Sequence, residues 1–406
     1  MIETELRARL QAIDPEYDST VEDRAWEIVR RAYRPIPDPP LRRRWRLAVA
    51  ASVSVLALAA GALAAARPPR EALGRWLGEA IGLTTAPHPR PLLAGLPGGG
   101  ELLVNSPAGP WIVSADGSRR YLGPYTAAGW SPHSLYLVAW RRDRLDVLNP
   151  LGQHQWTLTA PAAISVARWS PDGYRIAYTA GHSLWIVAGD GTGRRELLAD
   201  DAAVAPAWQP HTGTAHRIAS VGVSGEISVL DADSGTPIWR VTARPGIRQL
   251  LWAPGGTRVL AVWSDRLELY DSQGRLLAGT VLPAGLTIRQ AAFAPSGVRV
   301  GLVIRNAGLA GDSVWVLAAS RRGLHQAPQI LFSAGAQLNA INWSPDHLWL
   351  LASSPSADQW FFIRIRQPLR LQAISHISAS FAAGHRGAKG FPTLAGWQLR
   401  AYRRAG

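Results

Sequence analysis

The stretch Trp169-Ser170-Pro171-Asp172-Gly173 decides the fold, because degenerate copies of it recur along the chain. Each copy starts with an aromatic residue and carries proline two positions later. The six aromatics are Trp130, Trp169, Trp208, Trp252, Phe293 and Trp343. Successive aromatics are 39, 39, 44, 41 and 50 residues apart. Self-similarity at this period is typical of repeat architectures, in which each repeat is one supersecondary unit.

The residues between the copies predict four strands per repeat. An apolar strand such as Arg175–Thr179 follows each copy, and a second strand such as Leu184–Val187 comes next. A turn rich in Asp and Gly then leads into a returning strand, for example Leu276–Val281. Four-stranded units of this kind predict the blades of a β-propeller, with the aromatic filling the wedge between neighbouring blades. Proline ends the innermost strand, and Asp-Gly supplies the positive φ of a tight turn.

The blade count follows from the two ends of the repeat region. Strands at Glu101–Asn105, Pro110–Val113 and Arg119–Leu122 form a blade without an innermost strand. Thr393–Trp397 is an innermost strand without a blade. Joined, they make a seventh blade and close the ring, which removes the exposed sheet edge. We therefore predict a seven-bladed, all-β propeller over residues 101–400.

The repeat resembles that of the TolB family and its WD-like β-propeller relatives. Trp169 to Gly173 matches the family motif fully, whereas Ala253, Ala294 and Gln209 replace serine in other copies. The resemblance covers about residues 100–400. It implies the propeller fold, and because propellers of this kind serve many roles it implies no particular activity.

A membrane anchor is predicted before the propeller. Leu47 to Ala66 is twenty residues without a charge, enough for a helix to cross the hydrocarbon core. The run is too long for a cleaved signal peptide, so we favour an uncleaved signal anchor. Seven arginines lie in the twenty residues before it and three in the twenty after it. The arginine-rich side stays in the cytoplasm, so the propeller is expected outside the cell membrane.

Residues 1–40 predict a short cytoplasmic helical segment. Two short helices are predicted, one over Ile2 to Ile13 and one that starts at the capping box of Ser19 and Glu22 and runs to about Tyr33. Two helices of this size are too small to fold alone, so they either dock on a partner or stay a partly ordered tail. For the first alternative, the partner-binding residues are Trp26, Ile28, Val29 and Tyr33. Residues 68–100 predict a juxtamembrane amphipathic helix and a linker rich in proline and glycine.

This layout resembles membrane-bound regulators of the anti-sigma type in high-GC bacteria. A short cytoplasmic helical segment, one anchor, and Pro68-Pro69-Arg70 before a helix with Trp76 and Leu77 carry the resemblance. It implies a cytoplasmic regulatory protein as partner. The chain has no cysteine, and no histidine before His88, so the zinc-binding form of such regulators is not matched.

Composition excludes several kinds of site. The chain has 406 residues, no cysteine and a formal net charge of +14. Without thiolates it has no disulfide, no cysteine zinc site and no iron–sulfur cluster. All basic residues except Lys389 are arginine, and they are spread along the chain, so we expect no nucleic-acid binding.

No catalytic pattern is present in the sequence. There is no Gly-x-Ser-x-Gly elbow, and no histidine pair sits at helical spacing beside a carboxylate. Asp231 to Gly235 is similar to the start of a calcium loop but lacks the glutamate that closes one, and it falls where a hairpin turn belongs. We therefore expect a protein that is not an enzyme and that has no cofactor and no metal.

One ligand-site hypothesis rests on arginines near the innermost strands. Arg248 and Arg289 each lie four residues before a blade aromatic, and Arg168 immediately precedes another. Side chains at one mouth of the ring would converge on an anionic ligand. The alternative is that all three are surface arginines of an arginine-rich chain.

The sequence thus predicts a single-pass membrane protein whose outer propeller binds a protein, peptide or cell-envelope ligand and signals to a cytoplasmic partner through residues 1–46. The second hypothesis is a non-signalling envelope scaffold, in which the N-terminal part only anchors the propeller to the membrane. The third hypothesis is a propeller enzyme that acts on envelope glycans, although the carboxylates of the domain show no paired spacing.

Overall fold

A computed structural model of the chain describes residues 95–201, 204–210, 216–320, 323–324, 328–366, 369–382 and 390–399. The predicted segments 1–40 and 47–66, and most of 68–100, lie outside these ranges. None of the helices in the described ranges is both long and apolar enough to cross a membrane.

The strands form seven sheets, and paired strands run antiparallel in each. We number the sheets as blades 1 to 7 in the order of their motif positions. The strands of blades 1 to 4 are β1 Glu101–Ser106, β2 Gly109–Ser114, β3 Arg119–Tyr121; β4 Ala127–Trp130, β5 Leu137–Arg141, β6 Arg144–Leu148, β7 His154–Thr159; β8 Ile164–Trp169, β9 Arg175–Ala180, β10 Ser183–Ala188, β11 Arg195–Leu198; β12 Ala207–Trp208, β13 Arg217–Val221, β14 Glu226–Asp231 and β15 Pro237–Thr242.

The remaining blades repeat the same order. Their strands are β16 Gln249–Trp252, β17 Arg258–Val262, β18 Arg266–Asp271, β19 Leu276–Val281; β20 Leu286–Phe293, β21 Arg299–Asn306, β22 Asp312–Ser320, β23 Gly323–Leu324, β24 Gln329–Ser333; β25 Ala340–Trp343, β26 Trp349–Ser354, β27 Gln359–Arg364, β28 Arg370–Ser375; and β29 Thr393–Gln398. A single-turn helix, α1 Ile377–Ser380, and a 3₁₀ turn, Pro132–Ser134, complete the described elements.

Blade 1 closes the ring by joining the two ends of the repeat region. β29 pairs with β1 and is its innermost strand, with Trp397 opposite Leu102. The predicted count of seven blades is confirmed. A closed ring leaves no blade without a neighbour on either side, which protects the sheet edges.

The hydrophobic core lies between blades, and the recurring aromatics are part of it. Trp343 of blade 7 packs with Val303 and Val314 of blade 6. Trp252 of blade 5 likewise packs with Ala219 and Val229 of blade 4. The aromatics of the other five blades also contact the preceding blade. The predicted wedge role of the aromatic is therefore confirmed.

Hydrogen bonds explain why the motif contains serine and aspartate. In blade 3 the Ser170 hydroxyl donates to the Asp172 carboxylate and accepts from the backbone N–H of Arg175 at 2.9 Å. Asp172 also accepts from the backbone N–H of Tyr174 at 2.9 Å. Ser344 and Asp346 of blade 7 make the same bonds. These bonds close the loop between the first and second strands of a blade.

The fifth motif position has a left-handed backbone. Gly173 has a φ of 78°, and Gly297 has a φ of 70°. Ser134 and His347 occupy the same position with φ of 54° and 63°. Glycine adopts this region at no steric cost, whereas other residues are strained there.

Two blades depart from the regular pattern. Blade 6 accounts for the 50-residue step, because β22 extends beyond the sheet and pairs with β23 before β24 adds the outer strand. In blade 4 the innermost strand is only Ala207–Trp208. Pro206 and Pro210 flank it, and proline has no N–H for a ladder.

Candidate functional site

The innermost strands surround a channel along the propeller axis. Each pairs along one edge within its own blade, so its other edge presents backbone groups to the channel. A cavity of about 450 Å³ lies in this channel. It is lined by residues from the innermost strands of blades 1 to 5. A volume of this size accommodates a small ligand.

Arg168 is the one charged side chain among the described residues that line this cavity. Its side chain is open to water, and no described residue accepts a hydrogen bond from the guanidinium or pairs with it. Because Arg168 lies on the wall of the channel cavity, desolvation by the surrounding protein lowers the pKa of its guanidinium. Arg168 is thus a charged and unpaired group in a concave site.

Arg248 and Arg289 lie elsewhere. Arg248 directly precedes β16, and Arg289 sits in the bulge of β20 between Ile288 and Gln290. Both are exposed, and neither lines the channel cavity. Arg248 and Arg289 lie four residues before the aromatic of their blade, whereas Arg168 lies one residue before its own. The difference of three residues is roughly 10 Å along a strand. The structure therefore brings Arg168 to the cavity and does not bring the other two arginines there.

Side-chain amides join some neighbouring blades beside the channel. The Gln249 side-chain oxygen accepts from the backbone N–H of Ala291 at 2.8 Å. Gln290 does the same for Ile341 at 2.6 Å. In blade 2 the backbone N–H of Ala128 donates to Asn105 at 2.9 Å. These bonds satisfy channel-facing N–H groups of blades 2, 6 and 7, which would otherwise need water.

A second concave site lies between blades 2 and 3, on the face that carries the motif loops. We call this face the motif face and the site the aromatic groove. The groove measures about 460 Å³. Its aromatic lining residues are Tyr136, Trp156, Trp169 and Tyr174.

The aromatic groove combines buried and exposed rings. The rings of Tyr136 and Trp169 stack with centroids 6.3 Å apart. The indole N–H of Trp156 donates to the backbone oxygen of Gly189 at 2.9 Å, which holds that ring at the groove wall. Tyr136 is 41% exposed and Tyr174 is 74% exposed. Asp190 lies at the rim, and hydrogen bonds from the side chain and backbone N–H of Thr192 hold the pKa of its carboxyl below the ordinary value.

A polar network lies beside this groove and joins blades 3 and 4. The two ring nitrogens of His216 lie 2.9 Å from Asp172 and 2.7 Å from Asp233. Arg175 contacts the same two carboxylates, at 3.1 Å and 2.6 Å. Burial alone would raise the pKa of the Asp233 carboxyl, but hydrogen bonds from His216 and Arg175 outweigh it and hold that pKa low. The network links a motif loop to the third-strand turn of the next blade.

Sequence reasoning did not find the aromatic groove. Tyr174 follows the motif directly, and Leu135 and Val298 occupy the same position in blades 2 and 6. All three are exposed in the structure. An apolar residue that repeats at a solvent-facing loop position is the signal that would have pointed to this face.

The predicted partner-binding residues Trp26, Ile28, Val29 and Tyr33 all fall before residue 95 and so lie outside the residues that the structure describes. In the described ranges, no three His, Asp or Glu side chains are grouped to hold a metal ion. Asp231 to Gly235 forms the predicted turn, because the Asp231 carboxylate accepts from the backbone N–H groups of Asp233 and Ser234.

No family model matches the chain, and no curated protein matches it. Among solved structures it is similar to the β-propeller domain of Cps50 (Swd1) from Myceliophteria thermophila, at 14% identity and a TM-score of 0.49, covering 62% of this chain and 86% of that one. It is also similar to Kuenenia stuttgartiensis hydrazine synthase, at 13% identity and a TM-score of 0.48, covering 59% of this chain and 76% of that one. A chain of the mitotic checkpoint complex is similar at 16% identity and a TM-score of 0.49, covering 61% of this chain and 76% of that one. These likenesses concern the fold, and the resemblance to TolB-type propellers stays a prediction from the sequence.

Proposed function

We propose that the propeller is a protein-binding module that takes a peptide segment of its partner in the aromatic groove. The observation that carries the proposal is the exposure of Tyr136 and Tyr174 on the wall of a groove that also holds Trp156 and Trp169. Exposed aromatic surface rimmed by polar residues marks protein interaction sites. Tyrosine and tryptophan are enriched in such interfaces because they bury a large area with few rotatable bonds.

The groove also indicates the chemistry of the segment it would bind. Its volume and aromatic walls suit one apolar or aromatic anchor side chain. Asp190 places a negative charge at the rim, and its pKa lies below the ordinary value. We therefore infer a peptide with an apolar anchor next to a lysine or arginine, since opposite charge across an interface favours association.

The proposal includes an anchor and a cytoplasmic partner. Leu47 to Ala66 is uncharged and long enough to span a bilayer, and the arginine bias places the N-terminus inside. In this arrangement the propeller lies outside the cell membrane. Residues 1–46 would carry the signal to a cytoplasmic regulatory protein through Trp26, Ile28, Val29 and Tyr33.

The groove is tested by selecting peptides from a displayed random library on the purified full chain. The selected peptides are then measured against the double variant Tyr136→Ser, Tyr174→Ser. Val223→Ser is the matched control, because Val223 is 61% exposed and lies on the opposite face in the loop between β13 and β14.

We expect enriched peptides with an apolar anchor beside a basic residue, and at least tenfold weaker binding to the double variant. The Val223→Ser control should bind like the wild type. Equal binding by all three proteins, or no enrichment at all, would overturn the proposal.

The anchor and the signalling role are tested in cells with the full chain. A tag before residue 1 should be labelled only after the cells are opened, and a tag after residue 406 should be labelled from outside. A cytoplasmic regulator should crosslink to the wild type but not to the Trp26→Ala, Ile28→Ala variant. Correct topology with no crosslinked regulator would instead support the non-signalling scaffold.

A further inference from the structure

The channel cavity has backbone donors as well as a cation. In an antiparallel ladder the N–H groups of one strand point alternately to the partner strand and away from it. Ser170 N–H bonds Arg175 O at 2.8 Å, and Ala253 N–H bonds Arg258 O at 2.8 Å. Ala167 and Leu250 lie three residues before Ser170 and Ala253. Because the N–H direction alternates along a strand, the N–H groups of Ala167 and Leu250 point away from their sheets and toward the channel.

The equivalent N–H groups of blades 2, 6 and 7 are already occupied. Asn105, Gln249 and Gln290 accept from them, as described above. Each glutamine serves an N–H group of the next blade. In blades 2 and 4 the position of the glutamine is taken by Ala127 and Ala205, which have no side-chain acceptor. No described side chain accepts from Ala167 N–H or Leu250 N–H as a result. Blade 4 has Pro206 at this position, so it has no N–H to satisfy.

The cavity lies beside these unoccupied donors. Ala167, Arg168 and Leu250 all line it, and none of the described lining residues is acidic. The residues at the position of Arg168 in three other blades, Gly129, Ala207 and Gly396, are small and also line the cavity. An unpaired guanidinium and free backbone N–H groups around one cavity are the donor set that binds an oxyanion.

We propose that the channel binds a small organic oxyanion at Arg168. Its carboxylate or phosphate oxygens would accept from the guanidinium, and the channel-facing N–H groups of Ala167 and Leu250 would complete the donor set. Trp130, Trp208 and Trp252 line the same cavity and add apolar surface for an organic body. This site is separate from the partner surface proposed above, although Trp169 borders both cavities.

The test titrates benzoate and, separately, inorganic phosphate into the purified full chain in detergent, in a buffer free of other oxyanions. Benzamide is the neutral counterpart of benzoate and isolates the contribution of charge. Heat of binding and tryptophan fluorescence are the readouts, because five tryptophans line the cavity together with Arg168. The variants are Arg168→Gln and, as matched control, Arg289→Gln, which removes an exposed arginine outside the cavity.

We expect one saturable site with benzoate bound at least tenfold more tightly than benzamide. Arg168→Gln should remove this preference, and Arg289→Gln should keep it. Tighter binding of phosphate would identify a phosphate-bearing ligand, and tighter binding of benzoate a carboxylate. The proposal is overturned if neither anion binds, or if both variants lose binding equally, because the net charge of the protein would then explain it. Unchanged thermal unfolding of both variants shows that the fold is retained, and Arg168→Lys should restore part of the binding.

Discussion

The indole nitrogen of Trp208 lies 3.1 Å from the backbone oxygen of Arg168 and donates a hydrogen bond to it. The aromatic of blade 4 thereby contacts the channel wall of blade 3. Trp343 makes the same bond to Ala292 at 3.0 Å. In blades 4 and 7 the aromatic therefore both fills the wedge between two blades and joins their innermost strands.

Replacing Trp208 with phenylalanine should lower the free energy of unfolding by about 1–3 kcal/mol, from the lost hydrogen bond and the smaller ring. Trp252→Phe is the matched control. Trp252 is 7% exposed against 8% for Trp208, and its ring nitrogen has no hydrogen-bond partner among the described residues. Urea denaturation should show a cost for Trp208→Phe about 1 kcal/mol greater than for Trp252→Phe. Equal costs would mean that the hydrogen bond adds no stability.

Replacing His347 with glycine should stabilise the protein. His347 is exposed and has a φ of 63°, where a side chain is strained by about 1–2 kcal/mol. Glycine removes the strain but adds freedom to the unfolded chain, so we expect a net gain of roughly 0.5–1 kcal/mol. The midpoint of urea denaturation measures it. Gly173→Ala is the reverse change at the equivalent position and should destabilise, and a loss of stability in both variants would contradict the argument.

The polar network between blades 3 and 4 should lose part of its stabilising effect at acid pH. It consists of His216, Arg175, Asp172 and Asp233. Because the folded-state pKa of Asp233 lies below its ordinary value of 3.8, its contribution is present above that value and is lost as the pH falls through the folded pKa. Asp233→Asn should therefore be less stable than the wild type at neutral pH. Denaturation at strongly acid pH should show the difference shrink, and a difference independent of pH would assign the effect to packing.

Tyr125 should weaken the fold at alkaline pH. Burial and a 3.0 Å hydrogen bond to the Asp146 carboxylate raise the pKa of the Tyr125 phenol to about 12. Its contribution to stability is complete below the ordinary value of 10.0 and is lost as the pH rises to about 12, because only the unfolded phenol ionises in that range. Tyr125→Phe should flatten this part of the stability curve. Phenolate absorbance and denaturation over the same range provide the measurement, and identical alkaline slopes would refute the assignment.

The repeat determined most of the fold, because its physics is local. An aromatic, a proline and a turn residue at fixed offsets define where each innermost strand ends, so the blade order and the number of blades followed from residues such as Trp169 and Pro171. The extra strand pairing of blade 6 did not follow. The 50-residue step before Trp343 shows that residues were added, and only the pairing of Ala319 with Leu324 shows where they went.

The sites depended on tertiary structure, since they are built from residues distant in sequence. Sequence alone placed Arg168, Arg248 and Arg289 near innermost strands, because their offsets from the blade aromatics are readable. Only the folded ring showed that Arg168 shares a cavity with Leu250 while the other two arginines do not. The aromatic groove arises in the same way: Tyr136 and Trp169 belong to different blades, and stacking across an interblade wedge has no signature in either repeat. Local spacing determines the blades, and the curvature of the ring decides which side chains meet.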